Sequence, residues 1–137
     1  MEIIRAKHSG FCFGVKKAVE TAYQETRQQH NHLYTHGQLI HNRDVTDELE
    51  QLGARIIDSL SDAPEGSTVI VRSHGETKQF YQEAQQAGIR LVETTCPFVS
   101  RIHSLVQEAY EAGKTIVIIG DPDHPEVIGT NGWCDNQ

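Results

Sequence analysis

Apolar and polar residues follow two different periods along the chain, and the pattern changes from one period to the other at short intervals. Short apolar runs typical of buried strands are followed by longer stretches in which apolar residues recur at helical spacing. The pattern predicts strands at 2–6, 32–34, 54–57, 68–72, 89–92 and 115–119. It predicts helices at 14–28, 42–52, 76–87 and 97–112.

Glycine and proline mark where these helices begin and end. Gly53, Gly88 and Gly113 each follow a helical stretch, the position at which a left-handed residue ends a helix. Pro97 stands at a helix start, where its missing N–H has no cost. Strands and helices therefore alternate. This alternation predicts an α/β fold made of repeated strand-loop-helix units with a mostly parallel sheet.

A second series of elements begins at Pro97. It contains one predicted helix and one predicted strand before the sequence stops at Gln137, and such a pair cannot bury its apolar faces alone. We therefore expect a first α/β domain at 1–96 and the truncated beginning of a second α/β domain at 97–137.

Composition restricts the classes of function. Of the 137 residues, 37% are hydrophobic and 23% are charged, as in a globular chain with a modest core. The formal net charge of −7 argues against a broad nucleic-acid-binding face, because phosphate backbones require clustered Lys and Arg. No apolar run approaches the roughly 18 to 20 residues of a transmembrane helix, and no signal-peptide pattern is present. We expect a cytoplasmic protein that binds neither nucleic acid nor membrane.

Two cysteines stand where a short strand is predicted to give way to a helix. Cys12 lies in the segment GFCFGV and Cys96 in the segment TCP. A helix N-terminus stabilises a thiolate through its free N–H groups and its dipole, which favours a ligand or a nucleophile. A small buried hydrophobe is an equally good interpretation of either cysteine alone. The glycines at 10 and 14 permit a bulky group to approach, so the pair favours a metal or cluster site.

Three histidines, His41, His74 and His124, stand at the same kind of junction. A single loop histidine is usually solvated surface. Three at equivalent strand ends can form a pocket for an anion such as diphosphate, because their N–H groups donate hydrogen bonds. Glu126 lies two residues beyond His124 and is a candidate proton donor. An acidic residue in the first turn of a helix explains Glu126 equally well.

Together these segments resemble the 4-hydroxy-3-methylbut-2-enyl diphosphate reductase (IspH/LytB) family, the iron-sulfur enzymes that end the non-mevalonate isoprenoid pathway. The resemblance covers residues 3–133. Its most specific motifs are GFCFGV at 10–15, HN at 41–42, SHG at 73–75, TCP at 95–97 and HPEVIGT at 124–130. Each motif is weak alone, but their joint occurrence in this order is a strong indication.

The resemblance implies a trefoil of three α/β domains around a 4Fe-4S cluster held by three cysteines. On that pattern Cys12 and Cys96 match two metal ligands, the three histidines match the residues that bind the substrate diphosphate, and Glu126 matches the residue that supplies a proton. The implied reaction takes two electrons from a donor protein such as ferredoxin or flavodoxin, together with two protons. It removes the allylic hydroxyl as water and gives isopentenyl and dimethylallyl diphosphates.

The role of the third cysteine and two other functions remain to be considered. Cys134 does not occupy the family's third-ligand motif, which belongs to a later domain, so we expect a structural or free thiol. A phosphohydrolase would use the same loops to bind a divalent metal through the three histidines and Asp121 or Asp123, since imidazole and carboxylate suit zinc or manganese. That function leaves the first two cysteines without a role. A non-catalytic remnant domain is the third possibility.

Overall fold

The computed structural model describes residues 2–135, which form a four-stranded sheet and five α-helices. The strands are β1 (Leu33–His36), β2 (Ala54–Ile57), β3 (Thr68–Ile70) and β4 (Arg90–Val92). The helices are α1 (Phe13–Thr26), α2 (Arg43–Gln51), α3 (Lys78–Gln86), α4 (Pro97–Glu111) and α5 (Pro125–Asn131), with a 3-10 turn at Leu60–Asp62. None of these helices is long and apolar enough to cross a membrane. The predicted α/β class is confirmed.

The strands lie in the order β2-β1-β3-β4, and every neighbouring pair is parallel. Leu33 of β1 pairs with Ala54 of β2 on one side and with Thr68 of β3 on the other. The chain therefore leaves β1 towards one edge of the sheet and returns to its other side at β3. The crevice between the carboxyl ends of β1 and β3 is the switch point at which open α/β sheets bind ligands.

The two faces of the sheet contribute to separate hydrophobic cores, as adjacent residues of β3 show. Ile70 shares one core with Ala22 of α1 and Leu49 of α2. Val69 shares the other core with Phe80 of α3. Both β3 side chains are fully buried. Helices therefore cover both faces, as a parallel sheet requires, and the loops at the strand ends are left for chemistry.

Two predicted strands are absent from the described structure. Residues 2–6 and 115–119 pair with no strand of the sheet. The apolar side chains of 2–6 are exposed, Ile4 by 84%, and those of 115–119 are exposed or half-buried, with Ile119 exposed by 96%. The prediction is wrong here for a physical reason. An apolar run becomes a strand only where a neighbouring strand accepts and donates its backbone hydrogen bonds, and residues 2–135 offer neither segment such a neighbour.

Side-chain caps explain where the central helices begin. Asn42 accepts a hydrogen bond from the backbone N–H of Val45 at the start of α2. Thr77 accepts one from the backbone N–H of Phe80 at the start of α3. These caps end the loops that follow β1 and β3 and so fix the length of the segments that carry the candidate histidines. Helix α5 starts at Pro125, and the sequence periodicity does not predict it.

Candidate active site

The loops at the carboxyl edge of the sheet carry most of the candidate residues. His41 lies in the loop after β1, His74 in the loop after β3 and Cys96 at the end of the loop after β4. These three strands are neighbours in the sheet, so their loops lie side by side. His41 and His74 therefore stand on either side of the switch point, where the topology itself favours a ligand.

The rings of His41, His74 and His124 lie together. The ring centroids of His41 and His74 are 4.5 Å apart, and the centroid of His124 lies 6.0 Å from the first and 5.9 Å from the second. The convergence predicted from the sequence is confirmed, although His124 does not follow a strand. Imidazoles this close repel one another when protonated, and an anion between them would offset that repulsion.

Helix α5 brings His124 to the other two histidines. Two of its contacts with the loop after β3 leave no space for a side chain on the helix, and glycine stands at both positions. A Cβ atom on Gly129 would lie 3.2 Å from the carbonyl oxygen of Gly75, and one at position 132 would overlap Thr77. The small residues let the helix approach the backbone of the loop after β3. Docking of α5 on that loop, and not a strand before it, therefore places His124 in the cluster.

An aromatic pair holds the other side of the same loop. The indole N–H of Trp133 donates a hydrogen bond of 2.9 Å to the carbonyl oxygen of Glu76. The ring of His103 stacks on Trp133 with centroids 5.4 Å apart, and a Cβ atom on Gly75 would lie 2.5 Å from Cε1 of that ring. The sequence reasoning missed these residues. The glycine directly after His74 is the sequence signal that could have indicated a close approach, and its φ of 77° in the structure agrees with that.

His124 is the N-cap of α5. Its Nδ1 accepts a hydrogen bond of 3.2 Å from the backbone N–H of Glu126, so in this arrangement the ring N–H is at Nε2 and the neutral ring keeps one donor. Glu126 lies in the first turn of α5, where the helix dipole favours a carboxylate. Both side chains line one open cleft of about 430 Å³. The position of Glu126 therefore suits either of its two interpretations.

His74 is more buried than the other two histidines, which are exposed. Its Nδ1 is buried and has no hydrogen-bond partner within the described residues. Burial, with the positive charges of protonated His41 and of Arg72, lowers the pKa of His74 from 6.5 to about 4. The ring is therefore uncharged at neutral pH. An incoming hydrogen-bonding ligand could satisfy a polar atom that is otherwise left unpaired.

The two candidate thiolates stand at adjoining helix starts. Cys12 is the N-cap of α1 and Cys96 is the N-cap of α4, and neither side chain makes a capping hydrogen bond. The free N–H groups of both helices are thus available to stabilise thiolates. A Cβ atom on Gly14 would lie 2.5 Å from Sγ of Cys96. The sulfur of Cys96 therefore packs on the first turn of α1, two residues beyond Cys12.

Backbone hydrogen bonds connect the cysteine loop to the histidine loops. The N–H of Ser73 donates to the carbonyl oxygen of Leu39 at 3.0 Å, and the N–H of Cys96 donates to the carbonyl oxygen of Ser73 at 2.9 Å. Ser73 is buried. A single residue therefore joins the three loops, so that imidazoles and a thiol share one edge of the sheet.

The residues present fit two ligand positions of a thiolate-held cluster and do not supply a third. Cys134 is fully buried, and its thiol donates to the carbonyl oxygen and to Oδ1 of Asn131 at 3.3 and 3.5 Å. These contacts are those of a structural thiol. Within residues 2–135, no three side chains of His, Cys, Asp or Glu are arranged to hold a metal ion. Among the described residues, the three histidines with Asp121 or Asp123 are therefore not arranged as such a metal site.

Comparison with known proteins gives a family match and curated relatives. The LytB protein family matches residues 3–137. The chain is 47% identical to the 4-hydroxy-3-methylbut-2-enyl diphosphate reductase of Caldanaerobacter subterraneus subsp. tengcongensis, over 100% of this chain and 49% of that protein. It is 50% identical to the protein of the same name from Alkaliphilus oremlandii, over 99% of this chain and 49% of that protein. The chain thus spans about half the length of the curated relatives it matches.

Two solved structures share the fold. (E)-4-Hydroxy-3-methyl-but-2-enyl diphosphate reductase, the terminal enzyme of the non-mevalonate pathway, matches 97% of this chain and 47% of its own, with a TM-score of 0.82 and 38% identity. The E-1-hydroxy-2-methyl-but-2-enyl-4-diphosphate reductase from Plasmodium falciparum matches 92% of this chain and 40% of its own, with a TM-score of 0.88 and 33% identity. Family match, motifs and fold agree, and the chain belongs to the LytB protein family.

Proposed function

We propose that this chain forms the diphosphate-binding part, and two thirds of the cluster-binding part, of a 4-hydroxy-3-methylbut-2-enyl diphosphate reductase. The observation that carries the proposal is the convergence of three histidine rings at the switch point of the sheet, beside a loop that ends in Cys96. The names of the curated relatives, which match nearly the whole chain, support it.

In this proposal His41, His74 and His124 bind the diphosphate. Each ring offers at least one N–H donor whether neutral or protonated, and a hydrogen bond to an anion is stronger than one to a neutral acceptor. The buried, unpartnered Nδ1 of His74 supports the assignment, because a ligand there would replace lost hydration. An anion also favours the protonated form of the rings around it.

Cys12 and Cys96 are two of the three thiolate ligands of a 4Fe-4S cluster. Their support is position: both side chains stand at helix starts, and Gly14 leaves room for the sulfur of Cys96 beside the first turn of α1. When bound, the cluster supplies electrons and an open iron that acts as a Lewis acid for the substrate hydroxyl. The third thiolate comes from outside residues 2–135.

Glu126 supplies a proton in the proposed reaction. The reaction breaks the allylic C–O bond, forms a C–H bond and releases water, and it consumes two electrons and two protons to give isopentenyl and dimethylallyl diphosphates. A small protein such as ferredoxin or flavodoxin donates the electrons. The support for Glu126 is that it lines the same cleft as His124, so its carboxyl group lies beside the proposed anion site.

A chimeric enzyme tests the proposal. Residues 1–137 replace the matching segment of the Caldanaerobacter subterraneus relative, which is 47% identical, and the chimera is purified without oxygen. We expect it to reduce 4-hydroxy-3-methylbut-2-enyl diphosphate with a chemically reduced viologen dye as electron donor. It should contain about four irons and about four sulfides per chain.

Two variants of the chimera separate the roles of thiol and imidazole. Cys12→Ser should lose iron and sulfide together, because a ligand is removed. His74→Asn should keep both while substrate binding weakens. A chimera that contains the cluster but reduces no substrate would contradict the proposed reaction. Full iron content in Cys12→Ser would contradict the proposed ligand.

A further inference from the structure

A buried carboxylate with two polar partners lies next to the histidine cluster. Glu76 is 3% exposed and stands between Arg72 and His36. Nη2 of Arg72 donates to Oε2 of Glu76 at 3.2 Å, and its Nε lies 2.7 Å from Oε1 as an ion-pair contact at an angle unfavourable for a hydrogen bond. Nδ1 of His36 lies 2.6 Å from the same Oε1. We call these three residues the Glu76 network.

The Glu76 network joins the two loops that carry the first two site histidines. His36 is the last residue of β1, and the loop that follows it contains His41. Glu76 comes two residues after His74 in the loop after β3. The arginine side chain crosses between them over Gly37, where a Cβ atom would lie 3.3 Å from its Nη1. The ion pair between Arg72 and Glu76 and the contact between His36 and Glu76 therefore bridge the switch point at which the two rings meet.

The surroundings of the network make its geometry costly to change. The ring of His36 lies 4.6 Å from that of Phe80, and its Nε2 is 3.1 Å from the carbonyl oxygen of Asp58. Each ring nitrogen therefore has an acceptor within reach. Removing one partner from a buried ion pair leaves the other charge uncompensated, which costs far more than losing an exposed pair. Loss of the Glu76 carboxylate would leave the charge of Arg72 without its partner.

We propose that Glu76 is a positioning residue for the anion site. Through Arg72 and His36 it fixes the loops of His41 and His74 relative to each other, so that the two rings stay 4.5 Å apart and receive one anion together. Glu76 acts through the histidines and does not itself contact the anion. The identity of the anion rests on the proposed function, whereas the loop geometry does not.

The chain offers a matched control at the other end of the sheet. Glu25, near the end of α1, is 7% exposed and lies 3.0 Å from Nη1 of Arg90 and 3.2 Å from Nε2 of His30. Arg90 begins β4 at the amino edge of the sheet, away from the histidine loops. Glu25→Gln therefore removes the same charge from the same type of group, a buried Glu between Arg and His.

The experiment compares Glu76→Gln with Glu25→Gln in the full chain by two measurements. One is the nuclear Overhauser effect between the ring protons of His41 and His74, which reports their separation. The other is the Kd for inorganic diphosphate from titration calorimetry. We expect Glu76→Gln to lose the Overhauser effect and to raise Kd by about tenfold. Glu25→Gln should keep both, although both variants lower Tm.

Each result decides between positioning and stability alone. If Glu76→Gln keeps the Overhauser effect and its Kd, or if Glu25→Gln changes both equally, the inference is overturned. Should Glu76→Gln not fold, Arg72→Lys keeps the charge but lacks the planar fork, and it should raise Kd by at least about threefold; unchanged values overturn the inference. If the unmutated chain binds no diphosphate, the proposed function fails, and the Overhauser comparison still decides the positioning role.

Discussion

At the scale of single residues, His74 couples the site to pH. Its folded pKa is about 4, whereas the unfolded chain binds a proton at this ring below its ordinary value of 6.5. Between these values the unfolded state holds more protons, so the free energy of unfolding should fall as pH falls from 6.5 to 4. Urea unfolding across this range measures the slope. His74→Asn should remove part of it, and an equal slope in both proteins would contradict the lowered pKa.

The proposed anion contacts are also tested residue by residue. Asparagine keeps hydrogen-bonding capacity but cannot become a cation, so His41→Asn, His74→Asn and His124→Asn should each weaken inorganic diphosphate binding by about 1–3 kcal/mol. Calorimetric titration of the chain measures the loss. His32→Asn, which changes an exposed histidine near the amino end of β1, is the control. Equal losses in the control would mean that the chain binds anions without a defined site.

Glu126 is tested by turnover rather than by affinity. Glu126→Gln keeps the shape of the side chain but cannot donate a carboxylic proton, so kcat of the chimera should fall by about 10²-fold or more while KM changes little. Asp123→Asn removes a neighbouring exposed carboxylate and should leave kcat unchanged. Unaltered turnover in Glu126→Gln would leave this residue with its other role, a carboxylate in the first turn of α5.

At the scale of elements, the docking of helices on the loop after β3 depends on Gly75. Gly75 and Gly113 have similar φ values, 77° and 71°, but a Cβ atom meets His103 at the first position and open space at the second. Gly113→Ala should therefore cost only the backbone strain, about 1–2 kcal/mol. Gly75→Ala should cost a further ~1–3 kcal/mol from overlap.

Urea unfolding gives both free energies, and the single tryptophan, Trp133, reports the packing of α5 by its fluorescence. We expect the fluorescence to change in Gly75→Ala and not in Gly113→Ala. Equal losses of unfolding free energy in the two variants would show that His103 can move away from the added Cβ atom with little loss of stability.

The sequence correctly predicts those strands and helices that pack against the element next to them along the chain. The strands around 54–57 and 68–70 and the helices around 43–51 and 78–86 follow from local periodicity, since each packs on its neighbour in the βα order. The segments at 2–6 and 115–119 have equally apolar runs but no strand beside them among the described residues. Pairing is not local information, so periodicity alone cannot distinguish these two cases.

For the site, strand-end position predicts the meeting of His41 and His74 because parallel strands share a carboxyl edge. His124 reaches the same place through α5, which is fixed by glycine contacts that no periodic pattern reveals. The Glu76 network was not predicted either, because its members are 40 residues apart in sequence at His36 and Glu76 and meet only through the β1–β3 pairing. Sequence position identifies residues at the switch point better than it identifies what supports them.

At the scale of the whole molecule, we expect the chain by itself to hold no stable 4Fe-4S cluster. Two candidate thiolates lie at helix starts. The third cysteine, Cys134, is buried and its thiol donates a hydrogen bond to Asn131. A cluster on two thiolates and open to water would be lost or oxidised. Anaerobic reconstitution followed by iron and sulfide analysis measures this, with the chimera as positive control. About four irons per isolated chain would mean that another ligand completes the site.

The proposed division of the chain at residues 96 and 97 belongs to the same scale. Contacts cross this boundary, since Trp133 bonds to the backbone at Glu76 and His103 packs beneath Gly75. We keep two domains as a proposal, with limited proteolysis as its check. Cleavage near 97 that releases a stable first part would support the division.

The peptide of Ser73 has a consequence for motion. Its N–H and carbonyl groups continue the hydrogen-bonding row of the sheet past the strand ends, from Leu39 to Cys96. In amide hydrogen exchange, the Ser73 and Cys96 amides should therefore behave like strand amides and exchange only through larger openings, although both lie in loops. The backbone of the three loops that carry the imidazoles and the thiol would then open and close as one cooperative unit rather than as three independent loops.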